Sequence, residues 1–100
     1  MKIIWSKESL KQLIEIELYI SKDSPERAVR FINKLINRGE QITDYPYKGR
    51  VVPEFSSNDI REVFEKTYRI VYKISEDQIE IITIFEGHQL FKPTESKTNK

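Results

Sequence analysis

Between Ile60 and Phe91 the chain reads IREVFEKTYRIVYKISEDQIEIITIFEGHQLF: three runs rich in Ile, Val, Phe and Tyr, broken at Glu65-Lys66-Thr67 and at Ser75-Glu76-Asp77-Gln78. β-Branched and aromatic side chains suit a pleated, half-buried surface, so the stretch predicts a three-stranded antiparallel meander. In the middle run Tyr68, Ile70, Tyr72 and Ile74 alternate with Arg69, Val71 and Lys73. The first set faces a core, and Arg69 is held on a strand facing away from it. The last run is apolar at both parities, with Ile79, Ile81 and Phe85 against Ile82 and Ile84. That pattern predicts an interior strand. The run stops at Glu86-Gly87-His88, so the one histidine of the chain sits at a strand end.

Upstream, Lys2 to Trp5 is a short β-rich run closed by Ser6, a good helix N-cap, and this strand is expected beside the last one. From Lys7 to Ile20, Leu10, Leu13, Ile14, Leu18 and Tyr19 recur at helical spacing, with Ile16 and Ile20 widening the stripe. Ser24-Pro25-Glu26 then supplies a capping hydroxyl, a proline whose missing N–H costs nothing at the first helical position, and a carboxylate at the positive helix end. The second helix carries Ala28, Phe31, Ile32, Leu35, Ile36 and Ile42 on one face, so the two helices form an antiparallel hairpin over one face of the sheet. Arg27, Arg30, Lys34 and Arg38 make a basic stripe on another face. A solvated face is its ordinary meaning, and a phosphate-tracking surface is the alternative. The connection from Asp44 to Asn58 holds Pro46, Gly49 and Pro53 together with Tyr45, Tyr47 and Phe55, which predicts a long loop packed onto the body. The expected fold class is α+β, in the order β-α-α-β-β-β, with an antiparallel sheet and a helical hairpin on one face. Residues 1–91 form one domain and the polar residues 92–100 a frayed tail.

With 17 basic and 16 acidic residues the formal charge is +1, so no global field marks a generic polyanion binder. The absence of cysteine removes disulfides, thiol nucleophiles and thiolate metal sites. No metal site and no small-molecule cofactor are expected. No window has the length and apolarity of a membrane span, and a soluble cytoplasmic protein is the expectation.

Trp5-Ser6 before the first helix, Ser24-Pro25 with Ala28 and Phe31 at the second, Gly49-Arg50-Val51-Val52-Pro53-Glu54, Arg61-Glu62 and Tyr68-Arg69-Ile70-Val71-Tyr72 together resemble the RelE/ParE superfamily of toxins from type II toxin-antitoxin systems. The resemblance implies a cognate antitoxin as partner. It also implies one of two targets: ribosomes carrying mRNA for the RelE-like and YoeB-like branch, or DNA gyrase for the ParE-like branch.

Metal-independent RNA cleavage needs a base, cationic donors for the phosphorane and an acid for the leaving oxygen. The YoeB-like pattern puts Glu54 as base, Arg69 on the scissile phosphate and His88 as acid. Arg50 and Arg61 would add phosphate or antitoxin contacts, and Phe91 would stack on a base. The competing reading makes Glu54 a loop residue paired with an arginine, and gives Arg69 an ion pair with Glu62, Glu80 or Glu86. Residues 51–100 carry 7 basic and 9 acidic side chains, a formal −2 where a nuclease would have a basic clamp. Gln89-Leu90 separates His88 from Phe91, whereas YoeB-like chains close directly after histidine and an aromatic residue. The expectation is therefore a ParE-like gyrase inhibitor, with a ribosome-dependent mRNA endonuclease as the alternative.

Overall fold

The computed structural model describes residues 1–87, so His88, Phe91 and the tail 92–100 lie outside the described residues. The elements are β1 (Lys2–Trp5), α1 (Lys7–Ser21), α2 (Pro25–Glu40), 3-10 turns at Gln41–Asp44 and Pro46–Lys48, β2 (Arg50–Val51), β3 (Ile60–Glu65), β4 (Tyr68–Ile74) and β5 (Gln78–Glu86). Both helix starts are built as their sequences dictate. The Ser6 hydroxyl accepts the Ser9 N–H at 3.0 Å, and the Ser24 hydroxyl accepts the Arg27 N–H at 3.2 Å with Pro25 in the first turn.

The α+β fold with its helical hairpin is present, and two features refine it. The sheet has five strands in the order β1-β5-β4-β3-β2, and it is mixed because β1 runs parallel to β5. The hairpin carries the chain across the sheet to its far edge. The meander then returns strand by strand until β5 lies beside β1, interior as its two-sided apolarity requires. The added strand, β2, lies inside the long loop and pairs Arg50 with Glu62 and Val51 with Arg61. Gly49 lets it approach, since a Cβ there would lie 2.8 Å from the Glu62 carbonyl oxygen and collide with the Tyr72 hydroxyl.

The core lies between hairpin and sheet: Leu13, Ile16, Leu35 and Ile42 meet Val63, Ile70, Tyr72, Ile74, Ile79, Ile81 and Ile84. Helix α1 presents a different row from the one the spacing suggested. Ser9, Leu13 and Ile16 are buried, whereas Leu10, Ile14, Leu18 and Tyr19 are 48, 59, 63 and 69 % exposed. Two apolar rows run along this helix, and the small Ser9, its hydroxyl returned to the Ser6 carbonyl at 2.8 Å, turns its own row inward. Against β4 the register of β5 shifts, with Val71 opposite Thr83 and Tyr72 opposite Ile81, leaving Ile82 as the extra residue. Its carbonyl accepts the Ser6 hydroxyl at 2.8 Å, and Gln12 of α1 accepts the Ile84 N–H at 2.6 Å. Polar groups from the start of α1 thus continue the ladder where β1 ends.

Tyr72 ties this core to the loop. It is fully buried and its hydroxyl donates to the Pro46 carbonyl at 2.6 Å. Burial pushes its pKa up, and the Gly49 backbone with Arg61 and Arg38 offsets part of the rise. A phenol held neutral in the fold contributes stability below the unfolded tyrosine pKa of about 10, and that contribution is lost as pH rises through the folded value. Tyr72→Phe is expected to cost about 1 kcal/mol at neutral pH. In urea titrations repeated across pH, it should also flatten the alkaline loss of stability.

Candidate functional site

The face of the sheet away from the helices carries Glu62 and Phe64 of β3 beside Val71 and Arg69 of β4, since directly paired strand residues share a face. Arg69 faces away from the main core as its alternation predicts, yet it is only 6 % exposed and Glu62 only 1 %. Glu62 sits between two arginines. Arg69 donates from Nε to its Oε1 at 2.6 Å, and Arg50 donates from Nε to Oε2 at 2.7 Å. Arg69 Nη2 also meets Glu62 Oε1 at 2.6 Å and Glu54 Oε1 at 3.3 Å. The guanidinium carbon of Arg69 lies 4.9 Å from the Phe85 ring centroid. The result is a chain Glu54–Arg69–Glu62–Arg50 in which two cations and two carboxylates balance.

Burial by itself would lower the Arg69 pKa. Hydrogen bonds to Glu54 and Glu62 outweigh it and raise the value, so the guanidinium stays charged. Of the three carboxylates open to Arg69 from sequence, Glu62 is the partner. Glu80 stands opposite Lys73, and Glu86 accepts from the Thr67 hydroxyl at 3.4 Å. Arg50 reaches Glu62 from β2 with its guanidinium over Phe64, and its side chain is 61 % exposed.

Arg61 points elsewhere. It donates to the carbonyls of Asn58, Tyr47 and Gly49 and to Asn58 Oδ1, at 2.6 to 3.0 Å, while stacking on Tyr47 at 5.0 Å. The Tyr47 hydroxyl in turn donates to Asp59 at 3.0 Å. The long loop is therefore closed by Arg61 and Tyr47, and its hold is polar as much as aromatic. Structure brings together Glu54, Arg69 and Arg50, keeps Arg61 among loop carbonyls, and gives no position for His88 or Phe91. Sequence reasoning placed Arg50 at this site but did not find its pairing with Glu62, nor Phe85 beside Arg69; an Arg-x₁₁-Glu pairing through an unexpected edge strand carries no local signal. Among the described residues no group of three or more His, Asp or Glu gathers to hold a metal ion.

A family model described as "ParE toxin of type II toxin-antitoxin system, parDE" matches residues 3–91. The chain belongs to this toxin family. A Sinorhizobium fredii protein named "Putative toxin Y4kP" is 33 % identical over 88 residues, spanning 88 % of this chain and 90 % of that one. Among solved structures, "Chromosomal ParDE TA system from P. aeruginosa" matches with a TM-score of 0.72 at 17 % identity, covering 86 % of this toxin and 95 % of that chain, a likeness of fold. No helix among the described residues of the toxin is long and apolar enough to cross a membrane.

Removing one partner of a buried ion pair strands the other, so Glu62→Ala is expected to destabilise the toxin by roughly 3–5 kcal/mol. The double variant Glu62→Leu/Arg69→Met, which removes both charges, should lose less than Glu62→Ala does in urea denaturation.

Proposed function

We propose that the toxin arrests growth by binding DNA gyrase and blocking it, without a catalytic group of its own, and that a cognate antitoxin neutralises it in the cytoplasm. The observation that carries this reading is the state of Arg69. Its guanidinium is buried, bonded to Glu62 and Glu54 and covered by Phe85, so it has no free fork to offer a scissile phosphate. The four-residue chain has no net positive charge with which to stabilise a phosphorane. Membership of the ParE toxin family supports the same reading.

The approach of Glu54 to Arg69 is what favours a ribosome-dependent mRNA endonuclease, with His88 as the acid. In that arrangement, however, the carboxylate that would take the 2′-hydroxyl proton is occupied by the cation that would hold the phosphate. Binding of a protein target asks less of this face. A rigid, neutral, well-packed surface suits recognition by shape.

Purified toxin is expected to inhibit gyrase supercoiling of plasmid DNA while leaving translation in a reconstituted extract untouched. Glu54→Gln and His88→Ala, each checked for folding, should still arrest growth when expressed without an antitoxin. Codon-linked cuts in ribosome-bound mRNA, abolished by either substitution, would overturn the proposal.

A further inference from the structure

A second concave surface lies on the other side of the β3–β4 turn from this ion network. It is a cavity of about 500 Å³ between the end of α1, one side of α2 and the turn itself. Ile20, Phe31 and Tyr68 give it apolar walls, and Arg30, Lys34 and Lys66 supply three cations around them. None of these three has an ion-pair partner among the described residues, whereas the neighbouring Arg27 is held by Asp23 at 2.6 Å. The basic stripe of α2 thus divides: its first three members border this groove, and Arg38 turns away to the Phe64 carbonyl.

Lys66 adds an independent observation. It has φ of 55°, and it is the one non-glycine residue with positive φ among the described residues. Glu65 pairs with Tyr68, so Lys66 and Thr67 form a two-residue hairpin turn at a position where glycine is the unstrained choice. The positive φ is what the tight turn demands, and it sets the Lys66 cation on the lip of a groove already lined by two others.

The geometry points to this groove as a docking site for an acidic segment of a partner protein, one that inserts an apolar side chain between Ile20, Phe31 and Tyr68 while its carboxylates meet Arg30, Lys34 and Lys66. The charges are complementary to such a segment, and the walls reward an apolar anchor. A single nucleic-acid strand fits less well. The Phe31 and Tyr68 rings pack on each other at 5.4 Å with planes 54° apart, which leaves no parallel slot for a base. The inference does not rest on gyrase being the target.

The test uses the full chain and a short fluorescent peptide of Asp and Glu with one central Trp, followed by anisotropy. The peptide is expected to bind, to weaken as salt rises, and to lose about tenfold in affinity when its Trp is replaced by Ala. Arg30→Ala/Lys34→Ala should weaken it similarly. Lys66→Gly is the decisive variant, because it relieves the positive φ while removing the charge, so the protein stays folded as its affinity falls. Failure of the peptide to bind, equal binding by Lys66→Gly and the parent, or tighter binding of a mixed-sequence single-stranded oligonucleotide that competes with the peptide would each overturn the inference. Loss of gyrase inhibition with peptide binding intact would instead bear on the target alone.

Discussion

A carboxylate with no exposure to water needs partners on both oxygens, and Glu62 has them in Arg69 and Arg50. That requirement reaches well beyond one side chain. Arg50 is in place because β2 pairs with β3, β2 pairs because Gly49 lacks a Cβ, and Arg69 is in place because β4 is locked between β3 and β5. Glu54 then brings the loop down onto the free side of Arg69. One ion chain thus ties together the edge of the sheet, the loop and the interior strand. Such a chain is weak evidence for stability, because desolvation offsets much of the attraction. Displacing a member leaves a buried charge without its partner.

The two faces of the sheet are consequently built on different physics. Toward the helices the toxin has an apolar interior in which the fully buried Tyr72 spends its one hydroxyl on the Pro46 carbonyl. Away from them it has ions, with Val71 buried among the strands and Val52 buried in the loop. Those ions are committed to holding the strands and the loop together. In this chain they satisfy one another. The cations that remain open lie elsewhere, around the groove bordered by α2 and the β3–β4 turn.

Much of the molecule was legible before any coordinates. Ser6 and Ser24-Pro25 located both helix starts, the polar breaks at Glu65-Lys66-Thr67 and Ser75 to Gln78 delimited the meander, and two-sided apolarity put β5 inside the sheet. These are local properties: caps, turns and side-chain periods act over a few residues, so a linear reading captures them. The inward row of α1 was not legible, because Leu10, Ile14 and Leu18 have the same period as Leu13, Ile16 and Ile20, and only docking against β5 and α2 separates them.

What the sequence determined by itself was both helices, four of the five strands, their order, the toxin superfamily, and the side of the sheet on which Arg69 lies. Tertiary structure alone decided how Arg69 is used. Whether a cation on a strand is an open phosphate ligand or an internal counter-ion depends on which carboxylates come within about 3 Å of it, and Glu62 and Glu54 come from separate elements, 7 and 15 positions away. The same holds for Lys66, which is an ordinary turn lysine in the chain and one edge of a basic groove only once β4 lies against α2. Periodicity is written along the chain, whereas charge balance is settled across it, and the chemistry of this toxin depends on the second.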